Sequence, residues 1–202
     1  MLKLYFSPGA CSLAPHIALR EAALPFRLER VDMKARRTAS GDDFFVVNAK
    51  GQVPVLERAD GERLTEGPVI AQYIGDQVAG GLIPASGLER YRVIEWQNYI
   101  GSELHKTFTP LFNPALDAAA KATLAATLRR KFEWVDGELA GRDFLTGHAF
   151  TVADAYLFVV AGWARHVALE LSDLAHLQTF VARVAARPAV RAAMRAEGLL
   201  AA

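Results

Sequence analysis

Residues 1–21, MLKLYFSPGACSLAPHIALRE, decide the fold. Leu2, Leu4 and Phe6 alternate with Lys3, Tyr5 and Ser7, the period of two that a strand requires. Ser7-Pro8-Gly9 breaks the strand. Leu13 to Ala23 then reads as a helix, with Pro15 in its first turn, where a missing N–H costs little. Phe26 to Val31 is a second strand. A strand, helix, strand unit demands a right-handed crossover and a parallel pair.

Further along, Val53 to Arg58 and Arg63 to Thr65 flank Ala59-Asp60-Gly61-Glu62, a hairpin-like turn that adds antiparallel pairing. Pro68 to Val78 is helical again, with proline at a first-turn position. The expectation is a small mixed sheet of four strands with helices on its faces. Gly80 to Gly87, GGLIPASG, reads as a linker. Beyond it the pattern is helical throughout, near 88–112, 118–140, 151–168, 173–186 and 188–196. The fold class is therefore α/β followed by all-α: a first domain over 1–79, a linker over 80–87 and a helical domain over 88–202. Thr151-Val152-Ala153-Asp154 has the form of a capping box with Asp in place of Glu, opening a buried helix.

Composition narrows the function. The 202 residues carry 23 Lys+Arg against 22 Asp+Glu, a net charge of +1, so no global basic field is available to hold a nucleic-acid backbone. With 52% hydrophobic residues the chain has ample core and is not a disordered class. One cysteine excludes an internal disulfide framework, a Cys-x-x-Cys pair and a multi-cysteine zinc site. His16, His148, His166 and His176 show no metal-ligand spacing and read as packing or surface residues, so no metal is expected. The longest apolar run, Ala155 to Ala164, falls short of the ~18 residues of a spanning helix, and no signal segment is visible. A cytoplasmic protein, free of membrane and nucleic-acid partners, is expected.

Four places can carry chemistry. Cys11 stands at the strand-to-helix turn, where a helix start can bring a thiol from its usual pKa of ~8.5 towards ~7; a lone cysteine is otherwise a small buried hydrophobe. Ser12 beside it can cap the helix or donate to a bound thiolate. Val53-Pro54 opens a strand, and a cis peptide there would turn the main chain of Val53 outward for pairing with an extended peptide. Glu66-Gly67 precedes the third helix, suited to a carboxylate at the helix amides and an ammonium at Glu66. His105-Lys106 can polarise or neutralise an anionic ligand, although a helix C-terminus alone would favour such a pair.

The ordered set YFSPGACSLAPHIALRE, NAKGQVPVLE, LTEGPVIAQYI, IEWQNYIGSELHKTFTPLF and FTVADAYLF resembles a glutathione S-transferase, most closely the bacterial beta class. The resemblance covers essentially the whole chain. It implies a thioredoxin-like first domain, a helical second domain and a homodimer. It implies glutathione as co-substrate, with no permanently bound cofactor, and small hydrophobic electrophiles as partners. On that template Cys11 meets the glutathione sulfur and can form a mixed disulfide with it. Val53 pairs its main chain with the cysteinyl part beside a cis Pro54. Glu66 and Gly67 hold the γ-glutamyl end, and Arg36 stands where relatives have a peptide-contacting Lys. His105, with Lys106 beside it, closes over the thiol from the second domain, next to Ser102, Glu103 and Leu104. Asn98 and Glu103 match positions that reach the neighbouring subunit's ligand. Cys11 and His105 are the expected catalytic pair, and Phe108, Phe112 and Trp163 are wall residues for an apolar substrate between the domains. Two departures stand out: Gly67 replaces a usual Ser, removing a hydroxyl donor, and Arg36 replaces Lys, keeping charge but changing geometry.

The implied mechanism is electrostatic activation of a bound thiol by the helix start, the Cys11 amide, Ser12 and His105. Two other functions fit the same residues: a glutathione-dependent thiol–disulfide oxidoreductase or peroxidase working through Cys11, and a non-catalytic carrier of apolar ligands.

Overall fold

The computed structural model describes residues 1–78 and 80–201. Ala79, expected to close the first domain, and Ala202, expected to close the second, lie outside the described residues. The chain forms two compact units, Met1–Ala85 with Arg187–Ala202, and Ser86–Ala186.

In the first unit β1 (Leu2–Phe6) leads into α1 (Leu13–Glu21), then β2 (Phe26–Asp32) and β3 (Arg37–Thr38). A short α2 (Phe44–Val47) precedes β4 (Val55–Glu57), β5 (Arg63–Thr65) and α3 (Gly67–Gly75). The strand order is β3-β2-β1-β4-β5. β1 pairs parallel with β2, Leu4 opposite Leu28, while the other neighbours are antiparallel. This is the thioredoxin-like arrangement, with one strand more than expected. The addition, β3, is two residues long, too short to leave a period-two pattern in the sequence.

β1 is covered on both faces, so Tyr5, on the face opposite Leu4 and Phe6, is buried as they are. Successive side chains of a strand point to opposite sides. Phe6 lies 6.2 Å from the His16 ring of α1, and Tyr5 lies 6.1 Å from Phe44 of α2. Tyr5, Val31, Phe44, Val53 and Val55 form one core cluster. Phe44 is wholly enclosed, a burial worth about 1.5–3 kcal/mol for such a side chain. This layer seats Val53, one of the expected ligand contacts.

The second unit holds α4 (Gly87–Tyr99), a π-helical turn over Ile100–His105, α5 (Lys106–Phe108) and a 3₁₀ turn over Thr109–Phe112. It continues with α6 (Ala118–Glu138), α7 (Val152–Gly162), a 3₁₀ turn over Trp163–His166 and α8 (Ala175–Ala185). The last helix, α9 (Pro188–Ala196), packs on α1 and belongs to the first unit, whereas the sequence pattern placed it with the helical domain. Helical periodicity identifies the element but not its packing partner.

The capping box of α7 is present. The Thr151 hydroxyl accepts from the Ala153 N–H, and the Asp154 carboxylate accepts from the Thr151 N–H at 2.7 Å. The other Asp154 oxygen accepts from the Leu145 N–H at 2.8 Å, so one buried carboxylate joins the helix start to the preceding loop. Asp154→Ala leaves two buried N–H donors unpaired, at about 1–3 kcal/mol each. It is expected to lower unfolding free energy by about 2–4 kcal/mol in urea titrations, with Asp154→Asn losing less. A change below about 0.5 kcal/mol would contradict this account.

Candidate active site

The loop from Ser7 to Ser12 presents Cys11. Its thiol is half-buried and donates to the Val53 carbonyl at 3.4 Å, although 42 residues separate the two. The Ala10 amide donates to Ser7 O, and the Leu13 amide to Ala10 O at 3.0 Å, so the amide of residue 13 closes a turn rather than facing a ligand. Ser12 is fully buried. Its hydroxyl donates to Ser7 O at 3.2 Å and accepts from the Ser7 N–H at 3.1 Å. The expectation that Ser12 caps α1 or donates to a thiolate is therefore corrected: its one proton is engaged within the loop, and it makes no side-chain cap.

A second anchor lies behind the loop. Glu197, just past α9, accepts from the Gly9 N–H at 2.9 Å through one oxygen. Its other oxygen meets Nδ1 of His16 at 2.8 Å, and Nε2 of His16 accepts from Arg20 Nε at 3.0 Å. With Nε2 accepting, the His16 proton sits on Nδ1 and is donated to Glu197. Of these residues the sequence marks Gly9 only as part of the break after β1 and His16 only as a packing or surface residue.

Val53 is delivered by a loop that Asn48 organises. Asn48 Nδ2 donates to Gln52 O at 2.7 Å, and Asn48 Oδ1 accepts from the Lys50 N–H. Gly51 has φ +61°, and a Cβ there would stand 2.7 Å from the Phe45 ring, so only glycine suits the position. The Val53-Pro54 peptide is cis, as expected. Among the described residues the Val53 N–H has no hydrogen-bond acceptor. Arg36, at φ 55°, donates to the Gly51 carbonyl and lies over the Phe45 ring.

Glu66 precedes α3 at φ 65°, an uncommon conformation for a residue with a side chain and one found at functional sites. Its carboxylate is exposed and meets Lys50 Nζ at 2.5 Å, and the same ammonium reaches Thr65 Oγ1 at 2.8 Å. Thus Glu66 already holds an ammonium group, supplied by the chain itself. Gly67 opens α3, among the amides that no helical turn can pair.

The second unit places its candidates on the π-helical turn, a distortion often found at functional sites. The Ser102 hydroxyl donates to Asn98 O, Thr107 to Glu103 O and Thr109 to His105 O, which satisfy carbonyls along this stretch. Lys131 Nζ donates to the Glu103 carbonyl at 3.0 Å and to its carboxylate at 2.7 Å. Asn98, Ser102 and Lys106 are exposed, whereas Leu104 is wholly enclosed and faces the core. His105 is half-buried, with Nδ1 2.7 Å from the Tyr156 hydroxyl and the Trp163 ring edge-on at 4.8 Å. Burial, with a smaller push from Lys106, lowers its pKa from 6.5 to about 4, so the imidazole is neutral at pH 7. Phe108, Phe112 and Trp163 pack together with centroids 5.8 to 6.3 Å apart. Phe108 is enclosed, while Phe112 is 47% exposed.

Two family models match the chain: the glutathione S-transferase N-terminal domain over residues 9–77 and the C-terminal domain over residues 99–188. The glutathione S-transferase GstA of Escherichia coli O157:H7 is 48% identical over 200 residues, 98% of this chain and 100% of that protein. The chain belongs to the glutathione S-transferase family. Among solved structures, a sphingomonad glutathione S-transferase complexed with glutathione has 49% identity and a TM-score of 0.94, covering 98% of this chain and 100% of the other. The bacterial beta-class transferase of Sphingomonas chungbukensis has 45% identity and a TM-score of 0.94 over the same shares. This transferase therefore has beta-class enzymes among its near relatives, in keeping with the sequence resemblance.

Two outcomes test this geometry. Ser12→Ala leaves the half-buried Ser7 N–H without its side-chain partner and is expected to destabilise the fold by about 1 kcal/mol while Cys11 still reacts with alkylating agents; unchanged stability would contradict the role given to Ser12. The His105 ring is expected to titrate near pH 4 by NMR. Because the folded pKa lies below the unfolded ~6.5, its contribution to stability is complete above that value and is lost as pH falls towards 4. A midpoint near 6.5 would overturn the lowering of the pKa by burial.

Proposed function

We propose that this transferase conjugates reduced glutathione to small electrophilic, mostly apolar compounds through a thiolate. The observation that carries the proposal is the pairing of the Cys11 thiol with the main chain of Val53, whose own N–H lacks an acceptor among the described residues. An extended peptide can pair there as an added strand does, and its cysteinyl group then arrives with its sulfur beside Cys11. At the γ-glutamyl end, Glu66 takes the ammonium in place of Lys50, and Gly67 offers an amide at the positive end of α3. Arg36 is the proposed further contact of the peptide. From the second unit, Ser102, Glu103, His105, Lys106 and the main chain of Leu104 are proposed contacts, with Asn98 and Glu103 serving a neighbouring subunit's ligand in a homodimer. The cytoplasm is the proposed setting, and detoxification of electrophiles the proposed role.

In the reaction the glutathione thiol gives its proton to solvent water and a sulfur lone pair forms the bond to carbon. For a chlorinated aromatic, the C–Cl bonding pair leaves as chloride. His105, being neutral, supports the thiolate by hydrogen bonding rather than by full charge. Phe112 and Trp163, in contact with each other, are the proposed wall for an apolar electrophile.

Calorimetry with reduced glutathione and turnover of a chlorinated dinitrobenzene test the proposal together. Wild-type protein is expected to bind the tripeptide and to turn over the aromatic. Glu66→Ala is expected to raise KM for glutathione about 10-fold, equivalent to ~1.4 kcal/mol of lost charge-assisted bonding, with a smaller change in kcat. Absence of tripeptide uptake by the wild type would refute the function, and an unchanged KM in the variant would refute the role of Glu66.

A further inference from the structure

We infer that Tyr156 is a positioning residue for conjugation: its hydroxyl donates to Nδ1 of His105, keeping the ring proton on Nε2, the nitrogen left for the co-substrate sulfur. The inference rests on the proposed contact of His105 with that sulfur. A neutral histidine ring carries its proton on either of two nitrogens. A neutral imidazole has one N–H and one lone pair, and the hydrogen bond made by one nitrogen decides what the other presents. A thiolate offers only lone pairs. An imidazole with its proton on Nδ1 would oppose it with a further lone pair, whereas one protonated on Nε2 donates to it.

The surroundings of His105 hold one arrangement in place. Tyr156 belongs to α7, five residues after the Thr151 cap, and is 6% exposed. Its hydroxyl lies 2.7 Å from Nδ1, with the two rings edge to face at 6.0 Å. A Cβ built on Gly101, at the other end of the π-helical turn, would lie 3.7 Å from that same oxygen, so the turn and the phenol are in close register. Trp163 supports the imidazole with an edge-on contact. Among the described residues Nε2 has no protein partner, and no buried side-chain nitrogen or oxygen lacks one. Nε2 is therefore the open nitrogen.

The direction of the Tyr156 bond follows from relative basicity. The imine nitrogen of imidazole is a far better acceptor than a phenol oxygen, and the phenol, with a pKa near 10, is a good donor. O–H to Nδ1 is the favoured orientation. Nothing in the sequence links residues 105 and 156, which are 51 positions apart, although both lie in motifs that carry the family resemblance.

The test is a double-mutant cycle on the full-length protein with reduced glutathione and the chlorinated aromatic. Tyr156→Phe keeps the ring and removes the hydroxyl. It is expected to lower kcat about 10-fold, the size common for partners that orient a functional histidine, while KM for glutathione stays within about twofold. In a His105→Ala background the same substitution is expected to have no further effect on kcat. A purely structural role for Tyr156 would instead lower activity equally in both backgrounds, and that result overturns the inference. If Tyr156→Phe does not fold, ¹⁵N spectra of histidine-labelled wild type decide: a protonated Nε2 and a bare Nδ1 on His105 are expected, and the opposite tautomer overturns the inference. If His105→Ala turns over the aromatic at the wild-type rate, the contact between His105 and the sulfur falls, while the ¹⁵N spectrum still reports whether Tyr156 sets the tautomer.

Discussion

The buried carboxylate of Glu197 is the constraint on which the Cys11 loop depends. Its two oxygens reach the Gly9 N–H and the His16 ring, and Arg20 completes the set. A carboxylate enclosed to this degree is tolerable only when its hydrogen bonds are made, and removing one partner of such a buried pair commonly costs about 3–5 kcal/mol. The same contacts explain why α9, the last helix in the chain, belongs with the first sheet. The chain end holds the loop that presents the thiol, across 188 positions of sequence.

A similar economy runs through the helical unit. Asp154 gathers the Leu145 and Thr151 amides and starts α7 at a fixed point. Tyr156 is then set one helical face away, within hydrogen-bond reach of His105. On the facing side, the π-helical turn carries Ser102, Glu103, Leu104 and His105, with hydroxyls and Lys131 satisfying carbonyls along it. In each unit a buried acid fixes a backbone segment, and a reactive or polar side chain follows from that segment.

Much of this was legible in the sequence, for physical reasons that differ by element. The β1-α1-β2 crossover showed because alternation and proline placement are local signals. The capping box showed because its partners lie three residues apart. Cys11, Val53 and Glu66 stood out through the turn chemistry and helix starts around them. Ser12 was misread because a serine at a helix start satisfies the same local rule whether it caps the helix or turns back to Ser7. Lys50 on Glu66, Tyr156 on His105 and Glu197 on Gly9 were hidden for a common reason. Each is a contact between distant segments, and one sequence carries no record of which distant segments meet. The membership of α9 was missed on the same ground.

In the proposed function the first unit receives glutathione along the main chain of Val53, between Cys11 and Glu66. Amide NMR of uniformly ¹⁵N-labelled protein, titrated with reduced glutathione, tests it most directly. The largest shifts are expected at the amides of Cys11, Val53, Glu66 and Gly67, with the Val53 amide moving downfield as it gains an acceptor. Shifts confined to other residues, with these four amides unmoved at saturation, would contradict it.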